Sequence, residues 1–276
     1  KKGQVMSDCD ASGVVFVKSI EWSPEVKICL ERWGLADLAA SKFRIPFVSN
    51  ADESDTQCVQ RLLQSLVVKK WFAERSCQSV PAETEAKLHL LKTSAISMNL
   101  FDALKEPGCV LIRSGNIKQC PESMMEGIIV QDVLRKRLIK IERNTNIDGE
   151  LDLNAGDDDY LDDDDFDSDP TKGLPDVAKR SEFLFHLFSL LAIGGVFCQH
   201  DFTLDPYFDT AKAMYRALVT VYRSASTNEV AISTAAFRVY GRPFFLTEHK
   251  LQRCYVLFER KANLATILLL NRGNYW

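Results

Sequence analysis

The sequence predicts a mixed α/β fold with an α+β tendency: a mostly antiparallel sheet covered by helices, with a disordered acidic insert. Three observations lead there. Apolar residues recur every second position in some segments and every third or fourth in others, in irregular alternation. Two apolar runs near the end, Tyr255 to Phe258 and Leu264 to Leu270, flank a polar turn at Arg260 to Asn263, as in a closing hairpin. Between Asp148 and Asp169 stand 12 acidic residues and no basic one. Such a block repels itself and buries too little to offset chain entropy.

In chain order, Val14 to Val17 and Ile20 are β-branched or aromatic and predict a first strand. Ser23-Pro24-Glu25 supplies an N-cap, a first-turn proline and an acid at the positive helix end. The helix carries Val26, Ile28, Cys29, Leu30 and Trp33, and Gly34 stops it. Lys42 to Val48 alternates Phe43, Ile45 and Phe47 as a strand, with Pro46 pointing to an edge. From Asp52 to Asp55 the chain turns into one helix with Val59, Leu62, Leu63, Leu66, Val67 and Phe72 on its apolar face. Ser76 to Glu85 is a polar link. Leu88, Leu90, Leu91 and Ile96 predict a strand, and Met98 to Leu104 a short helix ended by Pro107-Gly108. Cys109 to Ile112 and Ile117 to Cys120, about a turn near Ser114-Gly115-Asn116, form a hairpin.

Val133 to Leu138 is a basic amphipathic helix with Arg135, Lys136, Arg137 and, just beyond, Lys140. No aromatic is interleaved for base stacking, so these charges read as a solvated face rather than a nucleic-acid site. Asn144, Asn146 and Asp148-Gly149 imitate the opening of a calcium loop, but its twelfth position is Ala155 instead of a bidentate Glu. The domain organisation that follows is 1–142 as the N-terminal part of one α/β domain, 143–175 as the acidic insert, and 176–276 as the C-terminal part. That last part holds a buried helix pair and the closing hairpin, whose second arm reads as a central strand buried on both faces.

The helix pair lies in Arg180 to Tyr222, the densest apolar stretch of the 276 residues. Lys179, Glu182, His186 and Ser189 form one narrow polar stripe on a helix starting at Asp176, and everything else is apolar, so it must be covered on most sides. Gly194-Gly195 ends it at a left-handed cap. Asp205 as N-cap and Pro206 open the second helix, whose face is Phe208, Ala211, Tyr215, Leu218 and Tyr222. Val230 to Tyr240 is then a strand.

Composition excludes several functions. The net charge of −4 conceals 34 basic against 26 acidic residues outside the acidic block, a net of about +8. The eight cysteines, 9, 29, 58, 77, 109, 120, 198 and 254, include no C-x-x-C pair and read as reduced structural thiols. The run Phe183 to Val196 is too short to span a membrane. The start, Lys1-Lys2-Gly3-Gln4, is not a signal peptide and lacks an initiator Met; a cytosolic protein, or a fragment of one, is expected. The histidines 89, 186, 200 and 249 fall in no metal-ligand or catalytic spacing, and there is no G-x-S-x-G, Walker or G-x-G-x-x-G motif. The single catalytic arrangement to weigh is Cys198 with His200 and Asp201. Two residues apart on a link is poor geometry for a thiol and its base, so the cysteine reads as packing. No catalytic, cofactor-binding or metal residue is assigned, and no cofactor is expected.

Within Arg180 to Tyr222 the residues Glu182-Phe183-Leu184-Phe185, Leu187-Phe188, Leu191, Gly194-Gly195, Cys198-Gln199, Pro206-Tyr207, Thr210, Lys212, Tyr215 and Leu218-Val219 resemble the cilia- and flagella-associated protein 300 family. Ser94-Ala95-Ile96, Gly115-Asn116-Ile117 and Leu134-Arg135-Lys136 add to the likeness upstream. The resemblance implies a non-enzymatic factor for assembling outer and inner dynein arms, in cytoplasm and along the axoneme. It implies dynein-assembly co-chaperones and dynein chains as partners, with no nucleic acid, membrane or small-molecule substrate. A stable structural component of the axoneme is the alternative, and an enzyme of unrecognised type a further one. The candidate interaction surface is the set of polar residues beside the core, Glu182, Gln199, Tyr207 and Lys212.

Overall fold

The largest sheet in the computed structural model is antiparallel throughout, with order β1-β2-β12-β11-β10-β3. Its strands are β1 (Val15–Ser19), β2 (Ala39–Arg44), β3 (Lys87–Leu91), β10 (Thr234–Tyr240), β11 (Arg253–Glu259) and β12 (Leu264–Leu270). The structure describes residues 12–46, 53–76, 86–125, 128–144, 171–195, 197–224, 228–240 and 252–271. The polar link at 77–85, most of the acidic insert (145–170) and the calcium-loop imitation therefore lie outside the described residues.

The chain divides into two compact units. One gathers Lys1–Trp22, Asp37–Thr93 and Ala217–Trp276 around the sheet. Two helices, α2 (Asp55–Gln64) and α3 (Leu66–Ser76), bury Val59, Leu62, Leu63, Val68, Trp71 and Phe72 against Phe43, Phe237, Val256 and Ile267. Each such side chain contributes about 1.5–3 kcal/mol before entropy is charged. As its continuous apolar run requires, β12 sits between β2 and β11 with six consecutive buried residues. A small ladder joins β8 (Val221–Arg223) to β9 (Val230–Ile232).

The other unit comprises Ser23–Ala36 and Ser94–Arg216. It holds α1 (Pro24–Arg32), α4 (Asp102–Lys105), the hairpin β4 (Ile112–Arg113) with β5 (Asn116–Ile117), and the ladder β6 (Gln119–Met125) with β7 (Ile128–Asp132). The helices α5 (Val133–Asn144), α6 (Val177–Arg180), α7 (Phe183–Ile193) and α8 (Asp205–Leu218) follow, the last two residues of α8, Ala217 and Leu218, belonging to the unit of the sheet. Here α5 packs on α7, and Phe101, Phe188 and Phe208 form one aromatic cluster with ring centroids 4.7–5.4 Å apart. Ten of the eleven residues of α7 are buried, as its composition demands.

Local chemistry explains most boundaries. Ser23 caps α1 through Val26 N, and Ser54 and Gln57 close a capping box on α2. Ser114 (φ 51°) and Gly115 (φ 80°) make the two-residue hairpin turn, and Asn263 (φ 49°) turns β11 into β12.

Several expectations need correction. The helix expected through Phe72 breaks at Ser65, which turns extended and caps Val68 N with its hydroxyl; Leu66 is consequently exposed. Pro46 marks no edge: β2 lies between β1 and β12 and ends at Arg44, and Ile45 N donates to Asn263 O before the proline, which has no donor. Ile96 lies past β3 and is exposed. The polar stripe expected on one helix spans two, because Glu182 is extended between α6 and α7. Tyr222 belongs to β8, beyond the end of α8 at Leu218. The strand expected over 230–240 is two, split at Ser233, whose N–H donates to Thr220 O. Finally, Arg135 and Arg137 are not a solvated face: they are 2% and 5% exposed.

Candidate functional site

The link from Gly194 to Leu204 is built onto the end of α1. The last carbonyls of a helix lack intrahelical donors. Here Gly195 N donates to Trp33 O (2.7 Å) and Gln199 N to Arg32 O (2.8 Å). The chains cross so closely that a Cβ at Gly195 would lie 1.9 Å from Gly34 O. Gly194, with φ 63° and ψ −166°, occupies a region that L side chains rarely enter, and a Cβ there would meet Cys198 Sγ at 2.5 Å. The Gly-Gly pair thus ends α7, but with ψ −166° instead of the left-handed cap expected, because the chain must run extended into a backbone crossing with α1.

Asp201 closes the link on its far side. Its Oδ2 accepts from Trp33 Nε1 (2.9 Å) and pairs with Arg32 Nη2 (2.6 Å). Trp33, fully buried, stacks on Tyr207 with ring centroids 4.4 Å apart and planes at 22°. Tyr207 Oη accepts from Asp201 N (3.1 Å), and burial pushes its phenol well up from the ordinary value.

Arg135 supports the same link from within. Asp132 Oδ1 accepts from Arg135 N (2.6 Å) at the start of α5. The guanidinium donates through Nη1 to Ile129 O (2.7 Å) and through Nη2 to Gly195 O (3.3 Å). Nη1 also lies 2.5 Å from His200 Nε2. A guanidinium has no acceptor, so Nε2 accepts and the ring proton sits on Nδ1, 3.0 Å from Cys198 Sγ. Burial, then the Arg135 charge, lowers the His200 pKa to about 4. The imidazole is therefore neutral at pH 7 and donates to the sulfur.

Cys198 and His200 do meet, contrary to the poor geometry expected of their spacing. The reason is that the link turns sharply over the two glycines. Their roles are nonetheless the reverse of a thiol and its base, because the nitrogen facing sulfur already carries the proton. Among the described residues no three His, Cys, Asp or Glu side chains group to hold a metal, and no disulfide forms. No described helix is long and apolar enough to cross a membrane.

The four residues expected at an interaction surface divide evenly. Gln199 and Lys212 are exposed. Glu182 (7%) and Tyr207 (2%) are buried, which corrects their expected exposure. Tyr207 is held by Trp33, and Glu182 accepts from Ser94 N (3.0 Å), Ser94 Oγ and Ala95 N (3.2 Å). Two aromatics that the sequence reading passed over stand out on the same link: Phe197 is 81% and Phe202 65% exposed. Exposed aromatic side chains on a rigid support are the usual anchors of protein–protein contacts. Directly after Phe202, Thr203 and Leu204 line a groove of 620 Å³ together with Leu104–Gly108, Ile112 and Phe208. The signal that could have marked Arg135 is its place in α5, between Leu134 and Leu138 on the buried side.

The profile of a family described as Cilia- and flagella-associated protein 300 matches residues 18–146 and 167–270. The chain is similar to the protein of that name from Chlamydomonas reinhardtii, 29% identical over 201 residues, covering 70% of this chain and 68% of the relative. It is similar also to the one from Paramecium tetraurelia, 26% identical over 186 residues, covering 67% and 63% respectively. No solved structure matches.

Proposed function

Because this chain belongs to the cilia- and flagella-associated protein 300 family, we propose that it is a non-catalytic assembly factor for the outer and inner dynein arms of motile cilia and flagella. It works in the cytoplasm and along the axoneme, with dynein-assembly co-chaperones and dynein chains as partners. The observation that carries this reading is the extent of the family match, on both sides of the acidic insert and through both compact units. The site chemistry supports it. The Cys198/His200 pair is oriented so that the imidazole cannot take the thiol proton, while Phe197, Gln199, Phe202 and Lys212 face outward.

Deleting the gene in a flagellate and imaging axonemal cross-sections by electron microscopy tests the proposal. Axonemes lacking outer and inner arms, restored by the wild-type chain and by Cys198→Ala, are expected. Intact arms overturn it. Retention of the protein in demembranated, salt-washed axonemes with arms intact would favour a structural component instead.

A further inference from the structure

A second site lies on the sheet, wholly within the unit that contains it. A cavity of about 350 Å³, the lower end of the range for small-ligand pockets, opens over one face of β2, β12 and β11. The register explains its floor. Lys42 of β2 is directly opposite Thr266 of β12, which is opposite Leu257 of β11, so all three side chains project from one face. One step along that face stand Leu264 and Glu259, also paired, with Thr234 opposite Glu259. Tyr222 and Lys261 complete the rim, the ammonium lying 4.5 Å from the ring centroid.

Its charges are unevenly engaged. The Glu259 carboxylate accepts from Ser233 Oγ (2.5 Å) and Thr234 Oγ1 (3.4 Å). Among the described residues neither Lys42 nor Lys261 is paired with a carboxylate. Lys42 and Glu259 stand on strands either side of β12, their backbones roughly 10 Å apart at ordinary strand spacing, and they form no ion pair with each other. Half-buried Lys42 thus brings an ammonium to the floor beside Thr266 and Leu257. Counting Lys42, Lys261 and Glu259, the lining carries one net positive charge.

We propose that this cavity binds an organic carboxylate borne on an apolar body. The leucines 218, 257 and 264 and the Tyr222 ring receive the body, and the ammonium groups with the Thr266 and Thr220 hydroxyls receive the anion. One negative charge neutralises the lining, whereas a phosphate dianion would leave excess negative charge facing Glu259. The carboxylate can come from a free acid or from the C-terminus of a polypeptide. The site is independent of the assembly reading.

Calorimetric titration of the full chain with N-acetyl-leucine, N-acetyl-leucine amide and inorganic phosphate tests this. The acid should bind about tenfold more tightly than the amide, the worth of one charge-assisted contact. Lys42→Met and Lys261→Met should each erase that preference, and Lys42→Arg should keep it. Glu259→Gln should strengthen acid binding and admit phosphate. A pentapeptide ending in leucine distinguishes the sources: binding with a free but not an amidated terminus means chain ends are read, and failure beside a bound free acid means small acids only. Equal binding of acid and amide, absence of both at millimolar concentration, or tighter binding of phosphate to the wild type overturns the proposal. Should Lys42→Met fail to fold, exposed Lys261→Met carries the same test.

Discussion

Arg135 Nη1 sits 2.5 Å from His200 Nε2, and that contact decides what the link after α7 can do. A donor-only group fixes the imidazole tautomer, the tautomer points a proton at Cys198, and the pair becomes a strut instead of an acid–base couple. The same guanidinium holds Gly195 O and Ile129 O, so one buried charge ties α5, the link and β7 together.

Removing that charge should therefore be costly. Arg135→Met leaves the Gly195 and Ile129 carbonyls and the His200 ring without their donor. A loss of about 2–4 kcal/mol is expected, read as a shift in the denaturant midpoint of the full chain. Arg135→Lys should recover only part of it, since one ammonium cannot reproduce the fork. A loss below about 0.5 kcal/mol, the scale of surface substitutions, would show that the contacts are not coupled to folding.

Stability should fall in mild acid through His200. Its folded pKa, about 4, lies below the ordinary 6.5 because burial and Arg135 disfavour the imidazolium. The unfolded chain then binds a proton that the folded chain refuses. This contribution is whole above about pH 6.5 and is lost as pH falls toward 4. Buried Asp132, whose carboxyl is raised by desolvation, acts with the opposite sign above its ordinary value of 3.8. The measurement is accordingly the difference between wild type and His200→Gln, whose midpoint should be flatter between pH 6.5 and 4. Parallel curves would refute the assignment.

Two glycines with positive or crowded backbones should respond differently to alanine. Gly195→Ala drives a Cβ into the Gly34 carbonyl and should lower stability by more than about 3 kcal/mol or prevent soluble expression. Gly115→Ala meets open space and carries only the backbone strain of φ 80°, about 1–2 kcal/mol. Comparable costs at both positions would mean that the crossing with α1 relaxes easily.

Glu182 is expected to order the loop at Ser94-Ala95. Glu182→Ala removes the acceptor of both amides and of the Ser94 hydroxyl. Hydrogen exchange at Ser94 and Ala95 should accelerate by about tenfold or more, the equivalent of one net hydrogen bond, while exchange in β11 and β12 stays unchanged. Unchanged exchange at Ser94 and Ala95 would assign the burial of Glu182 to packing.

For function, Phe197→Ser with Phe202→Ser should leave the unfolding midpoint within about 0.5 kcal/mol of wild type, as exposed positions do. In the deletion strain the same double variant should fail to restore dynein arms. Full restoration would remove the link from the interaction surface.

The elements legible in the sequence were those whose cause is local. Ser23-Pro24 starts α1, Ser114-Gly115 makes a tight hairpin, and the run Leu264 to Leu270 declares a central strand, because caps, turns and burial patterns act over a few residues. The break at Ser65 is local, a serine capping the helix three residues on, but the apolar period running through Leu63, Leu66 and Val67 masks it; the breaks at Glu182 and Ser233 depend on groups elsewhere in the chain, and Glu182 finds its partners 87 and 88 positions away. Arg135, like Glu182, takes its place from distant partners. Charge pattern alone assigns a basic helix to water, and only the arrival of the link from α7 supplies the acceptors that let a guanidinium be buried. By itself the sequence determined the fold class, the buried helix and the likeness to a family. Tertiary structure alone decided which polar residues are struts, because a hydrogen bond between residues 65 positions apart is set by the packing that brings them together.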